Sequence, residues 1–299
     1  MVKNWLKSDT LALWIIALPG IAYFIIFKYV PMLGNVIAFK NYGLFLGIWK
    51  SPWVGFQHFE VMFTYPEFYN ILNNTIVLSF FSILFGFPAP LILALFLNEL
   101  RLMAVKRTIQ TILYMPHFLS WVIVGGIFIN LLSLDGFVNM IVEKFGGKAV
   151  DYVTKPEYFK AIIVGTGIWK EVGWGMIIYL AALAGINPNL YEAAMVDGAG
   201  RWRQMWYITL PSIMPAIVVL FLLRISNVLD ANVEQILIFL TPLTFETGEV
   251  IDTYVYRIGL LGSQFSYSTA IGLFKALIGI VLVVGLNQLS KRTTGESIY

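Results

Sequence analysis

Six apolar runs, each near the length of a membrane crossing, divide this chain at residues 11–27, 75–97, 111–134, 159–185, 212–230 and 269–289. A helix needs about 20 such residues to cross the ~30 Å hydrocarbon layer, where backbone donors must find acceptors within the same element. With only 12% charged residues, against roughly 25% in soluble domains, the chain reads as an all-α membrane protein of six transmembrane helices. It contains no cysteine, which excludes disulfides and thiolate metal sites. A net charge of +3, spread over the connecting segments, gives no reason to expect nucleic acid as a partner.

Basic residues stay on the cytoplasmic side of a membrane. The counting assigns Lys3, Lys7, Arg101, Lys106, Arg107, Arg201, Arg203, Lys291 and Arg292 to inner segments, so both termini read as cytoplasmic. Lys3 and Lys7 before an apolar run also suit the start of a signal peptide, but no small-x-small cleavage site follows. The whole of 1–299 reads as one transmembrane domain. Within it, 1–73 hold the first span and a structured outer segment, 74–290 a five-helix core, and 186–211 an inner loop.

The first outer segment is rich in aromatic residues, among them Trp49, Trp53, Phe56, Phe59, Phe63, Tyr65, Phe68 and Tyr69. These suit the headgroup layer, where amphipathic rings settle; a sugar-stacking platform is the alternative. In the second outer segment a short surface helix is expected at 138–145, stopped by Gly146 and Gly147. In the third, residues 250–257 mix polar and aromatic side chains that could face a partner protein.

The inner loop at 186–211 is a helix-sized charged interruption. Asn187 can cap a helix and Pro188 suits its first turn. That helix runs until Gly198 and Gly200 weaken it, and a second short helix is expected over 201–209, ahead of Pro211. The product is a helix-turn-helix bracket. Leu190, Ala193, Ala194 and Asp197 share one side of its first helix, the alanines allow close approach, and Glu192 stands beside that seam. The face either packs on the chain's own bundle or docks a partner.

Glu192-Ala193-Ala194, Gly198 after three more residues, and Ile208-x-Leu210-Pro211 after a further nine resemble the EAA loop of ABC importer permeases at the family's spacing. The resemblance extends over almost the whole chain. Within the carbohydrate-importer branch it is similar to the LplB-type oligosaccharide and polysaccharide permeases, including a subunit of the alginate importer. The residues concerned are Tyr29-Val30-Pro31-Met32-x-Gly34, Ala38-Phe39-Lys40-x-Tyr42, Trp53-Val54-Gly55-Phe56, Tyr254-Val255-Tyr256-Arg257-x-Gly259 and Thr269-Ala270-Ile271-Gly272-Leu273-Phe274-Lys275.

The resemblance implies a type I ABC importer permease fold in a bacterial inner membrane. It implies a second permease, two ATPase subunits, an extracytoplasmic sugar-binding protein and an oligosaccharide or polysaccharide substrate. ATP and Mg would be bound by the partner ATPases, with no cofactor on this chain, and lipid would surround the spans. Glu192, Ala193, Ala194 and Gly198, flanked by Asp197, would dock an ATPase groove. The chain itself lacks a phosphate-binding G-x-x-x-x-G-K-[ST] loop.

Ionisable groups within spans are costly and usually face a partner or a water-filled cavity. Here they are Lys170, Glu171, Arg224 and Lys275, with Asp230 and Glu234 near the end of the fifth span. Asn227, Asp230 and Glu234 fall at helical steps, as one stripe. Arg224, Asn227 and Asp230, with Trp174 and Tyr179 of the fourth span, are the expected lining of a transport path; the alternative is that the charges pair with one another. No residues here form a metal cluster or a catalytic constellation by spacing. A membrane enzyme acting on lipid-linked sugar and an ion-coupled carrier are the competing function classes.

Overall fold

The computed structural model describes residues 2–293, with side chains described from Thr10 onward except at 289, 290 and 293; helices make up most of it. Lys3 and Lys7, counted above toward an inner amino terminus, have side chains outside that description. Among the described residues, six helical runs are long and apolar enough to cross a membrane. They are Thr10–Phe39, Pro66–Asn98, Trp121–Lys144, Pro156–Ala184, Arg201–Ser226 and Phe265–Gln288.

Each run matches an expected span, with shifted ends. The third begins at Trp121 rather than at residue 111 because Pro116 cannot donate the helical hydrogen bond. A 3₁₀ turn, Met115–Phe118, separates Met103–Tyr114 from Trp121–Leu132. Ser120 caps the new helix by accepting from the Ile123 amide at 3.4 Å. The short surface helix is present as Phe137–Lys144. Gly146 follows it with φ +82°, and the Gly147 amide closes back on the Val142 carbonyl at 2.9 Å, a glycine C-cap.

The fifth span differs at both ends. The expected second bracket helix does not stop before Pro211. Arg201–Gln204, a π-helical turn Met205–Thr209 and Leu210–Ser226 run on as one rod, since the wider turn accommodates the proline's missing donor. At the other end helix stops at Ser226 instead of Asp230. Ser226 Oγ and Asn227 Nδ2 donate back to the carbonyls of Leu222 and Leu223 at 2.9 and 3.3 Å, and the backbone tightens into turns. Asn232 then caps a separate helix, Val233–Phe239, by accepting from the Gln235 amide at 3.0 Å. Asn227, Asp230 and Glu234 therefore do not form a stripe on one helix.

The chain packs as two compact units, Met1–Tyr65 with Val255–Phe274, and Pro66–Tyr254 with Lys275–Tyr299. In the second unit the fourth span is the central element. One apolar cluster surrounds its start, with Leu78, Phe159, Ile163, Ile236, Phe239 and Val250. Another surrounds its end, with Ala94, Leu97, Met176, Tyr179, Leu183 and Ile213. Gly173 lies so close to the backbone at Leu113 and Tyr114 that a side chain there would collide with it.

The third outer segment corrects an expectation. Val250, Ile251, Thr253 and Tyr254 are buried, because the Ile251 amide donates to Thr75 Oγ1 at 2.9 Å. Asn74 Nδ2 also holds the Glu246 and Glu249 carbonyls at 2.8 and 3.2 Å. These four residues are core and cannot face a partner, whereas Tyr256 of the same expected 250–257 face is exposed. In the first unit, residues 40–56 form a closed loop on the Lys40–Trp53 bridge. Most of the aromatic residues expected at the headgroup layer are exposed, but Phe68 is fully buried in the second unit.

Candidate functional site: the bracket and the polar cleft

The bracket's first helix spans Pro188–Val196 and buries none of its residues. Asn187 Oδ1 accepts from the Asn189 amide at 3.0 Å and starts it. Its end follows from the glycine: Gly198 adopts φ +75°, where a side chain on L-residues crowds the backbone. The Ala199 amide returns to the Ala194 carbonyl at 2.8 Å and the Gly198 amide to Met195 at 3.1 Å. That double closure is a Schellman cap, and it fixes why a glycine stands where it does after Glu192-Ala193-Ala194.

Gln204 Nε2 donates to the Ala199 carbonyl at 2.8 Å, so the turn is tied to the second arm. Tyr191 OH meets Thr209 Oγ1 at 2.9 Å, which joins the first helix to the base of the fifth span. Arg201 reaches Glu99 at 3.8 Å, with both side chains well exposed; such a pair contributes about 0–1 kcal/mol. Glu192 and Asp197 are exposed and form no ion pair among the described residues. Leu190, Met195 and Val196 also stand outward, Val196 at 89% exposure. The face thus does not pack on the chain's own bundle.

A cleft of about 600 Å³ opens between the two apolar clusters, and Trp174, Tyr179, Arg224, Asn227 and Asp230 all line it. Ser79, Ser82, Glu171, Asn232 and Gln235 add polar groups. Tyr179 is 3% exposed and Trp174 46%, so one ring is set in the wall while the other is open.

Two of the span cations are already paired. Lys275 sits between Asp230 at 2.6 Å and Asp252 at 2.5 Å, and Asp252 Oδ2 also accepts from the Ala231 amide at 2.8 Å. Lys170 donates to the His117 carbonyl at 2.6 Å, approaches Glu171 at 3.6 Å, and lies 5.5 Å from the Trp121 ring centroid. Glu171 meets His117 Nδ1 at 2.8 Å. The His117 ring stacks on Trp174 with centroids 4.5 Å apart and planes 4° from parallel. Arg224 has no acidic partner among the described residues. The alternative of mutual pairing thus holds for the lysines and fails for the arginine.

Sequence reasoning missed His117, Asp252, Tyr191 and Thr209. His117 directly follows Pro116, whose helix break was a usable signal. Asp252 reaches Lys275 across 23 residues, and no local pattern marks that pair.

A sequence profile described as the binding-protein-dependent transport system inner membrane component matches residues 86–295. Protein LplB of Bacillus subtilis (strain 168) is 46% identical over 288 residues, which cover 96% of this chain and 91% of that protein. The polygalacturonan/rhamnogalacturonan transport system permease protein YteP of the same organism is 48% identical over 288 residues, with coverages of 96% and 90%. A crystal structure of a bacterial ABC transporter involved in the import of the acidic polysaccharide alginate matches with TM-score 0.90 and 42% identity, covering 98% of this chain and 99% of that one. A bacterial alginate ABC transporter in complex with an alginate pentasaccharide-bound periplasmic protein gives the same score and identity, with 99% of both chains covered.

Proposed function

The chain belongs to the binding-protein-dependent transport system inner membrane component family, and from that premise we propose how it works as the permease of an ATP-binding-cassette importer for oligosaccharide or polysaccharide. It is a multi-pass membrane protein. With a second permease it encloses the sugar path. Two ATPase subunits, which bind ATP and Mg, dock on the cytoplasmic face, and an extracytoplasmic binding protein delivers the sugar. Both termini lie in the cytoplasm of a bacterial cell.

The observation that supports this most is the rod Arg201–Ser226, which joins bracket and cleft in one element. The 23 residue-to-residue steps from Arg201 to Arg224 cover roughly 35 Å at 1.5 Å each. A displacement at the bracket is therefore felt at the cleft, because a helix transmits motion as a rigid lever. Glu192 is the unpaired acid that orients an ATPase on the bracket, with Ala193 and Ala194 leaving room for its backbone. Asp197 and Gly198 close the helix. In the cleft, Trp174 stacks on sugar while Tyr179, Asn227 and Asp230 replace its water.

Arg224 is the cleft cation left without a carboxylate among the described residues, and a guanidinium forks onto carboxylates in two parallel bonds. It suits an acidic saccharide. Uptake measured with uronate and neutral oligosaccharides, in vesicles holding the assembled importer, tests the path. Arg224→Ala should slow uronate uptake at least tenfold; unchanged uptake of every sugar would overturn the assignment of the cleft.

A further inference from the structure

Within the first unit, residues 40–56 are built with unusual rigidity for a loop. Lys40 is 4% exposed, and its ammonium donates to the Ile48 carbonyl at 2.8 Å while lying 4.9 Å from the Trp53 ring centroid. Ser51, 3% exposed, accepts from the Gly43 amide at 3.1 Å and donates to the Gly47 carbonyl at 2.7 Å. Gly47 takes φ +67° and turns the chain. At the base, the Tyr42 amide donates to Ser266 Oγ at 2.9 Å.

This scaffold buries nothing at its tip. Phe45 is as exposed as in an extended chain, at 105%, and Trp49 is 92% exposed, with Leu44 beside them at 62%. A polar network inside and an apolar tip outside is the reverse of what water favours, so the tip meets something apolar.

We propose that this finger inserts into the anionic headgroup layer of the membrane that the first span crosses. Two observations select lipid. The first span runs on as unbroken helical turns to Phe39, so Lys40 and the finger follow a membrane-crossing element with no intervening linker. The charge also fits: no acid occurs between Asp9 and Glu60, while Lys28 and Lys50 are exposed. Leucine, phenylalanine and tryptophan beside lysine are the side chains of an interfacial anchor. Rigid presentation lowers the ordering cost of insertion.

The absence of native cysteine permits a direct test. The full-length Phe45→Cys chain carries a nitroxide label and is reconstituted in vesicles of phosphatidylcholine, with or without phosphatidylglycerol. Collisions with oxygen should exceed those with a water-soluble nickel chelate several-fold, and more so with phosphatidylglycerol present. Dominant nickel collisions would place the tip in water and overturn insertion. Exclusion of both reagents would show a protein partner on the tip and overturn it equally.

Discussion

The bracket and the cleft solve opposite electrostatic problems. In the bracket, Glu192 and Asp197 are left exposed and without an ion pair among the described residues, while the first helix is closed at both ends by local caps. Beside the cleft, Lys275 and Lys170 are held by acids and carbonyls of other segments, while Arg224 in its lining has no acidic partner among the described residues. A docking surface keeps its charge for the partner and needs only local order. A chamber inside the membrane must neutralise most of its charge, because an unpaired ion there is expensive.

Four substitutions break or sharpen this contrast. The largest effect is expected from Glu192→Lys, which puts like charge where a partner's basic group should sit and costs about 2–5 kcal/mol of association. Copurified ATPase and sugar-stimulated ATP hydrolysis should fall together, with the melting profile of the permease unchanged. Intact coupling would remove Glu192 from the docking surface.

Lys275→Met should act the other way, on stability before partner binding. It strands Asp230 and Asp252 as like charges and costs about 2–4 kcal/mol, less than for a fully buried pair because the Asp230 side chain is 61% exposed. Thermal unfolding in detergent reads the loss. Asp252→Asn in the same chain should recover part of it, and no recovery would show that the pairing is not what Lys275 provides.

Gly198→Ala tests whether the cap is conformational. No atom lies within 4 Å of the added carbon, so the cost is the positive φ alone, about 1 kcal/mol. Gly198→Asn should lose less, since asparagine tolerates that region. Equal losses, read as bracket protection in hydrogen exchange, would contradict a conformational role. Tyr191→Phe is the mildest: it removes the hydroxyl bonded to Thr209 and should cost about 0.5–1.5 kcal/mol. Faster exchange in Pro188–Val196 with little change in uptake is the expected result.

The bracket was legible because its determinants are neighbours in sequence. Asn187, Pro188 and Gly198 act on backbone within a few residues, so spacing alone announces the helix, its start and its end. The cleft was legible only as a set. Trp174, Tyr179, Arg224, Asn227 and Asp230 stand out as polar or aromatic groups in apolar runs, and they do line one cavity. Their arrangement was not legible, and the expected stripe of Asn227, Asp230 and Glu234 fails because Ser226 and Asn227 turn their donors back on the helix.

The sequence by itself determined six membrane-length helices, the bracket with its caps and the family spacing around Glu192. Hydrophobic length and short-range hydrogen bonding are properties of contiguous residues, and they survive without a fold. Only the tertiary structure decided that Lys275 belongs to Asp230 and Asp252, that His117 lies flat on Trp174, and that Val250, Ile251, Thr253 and Tyr254 are core. Each is a contact between segments far apart along the chain, and its energy depends on geometry that packing alone sets.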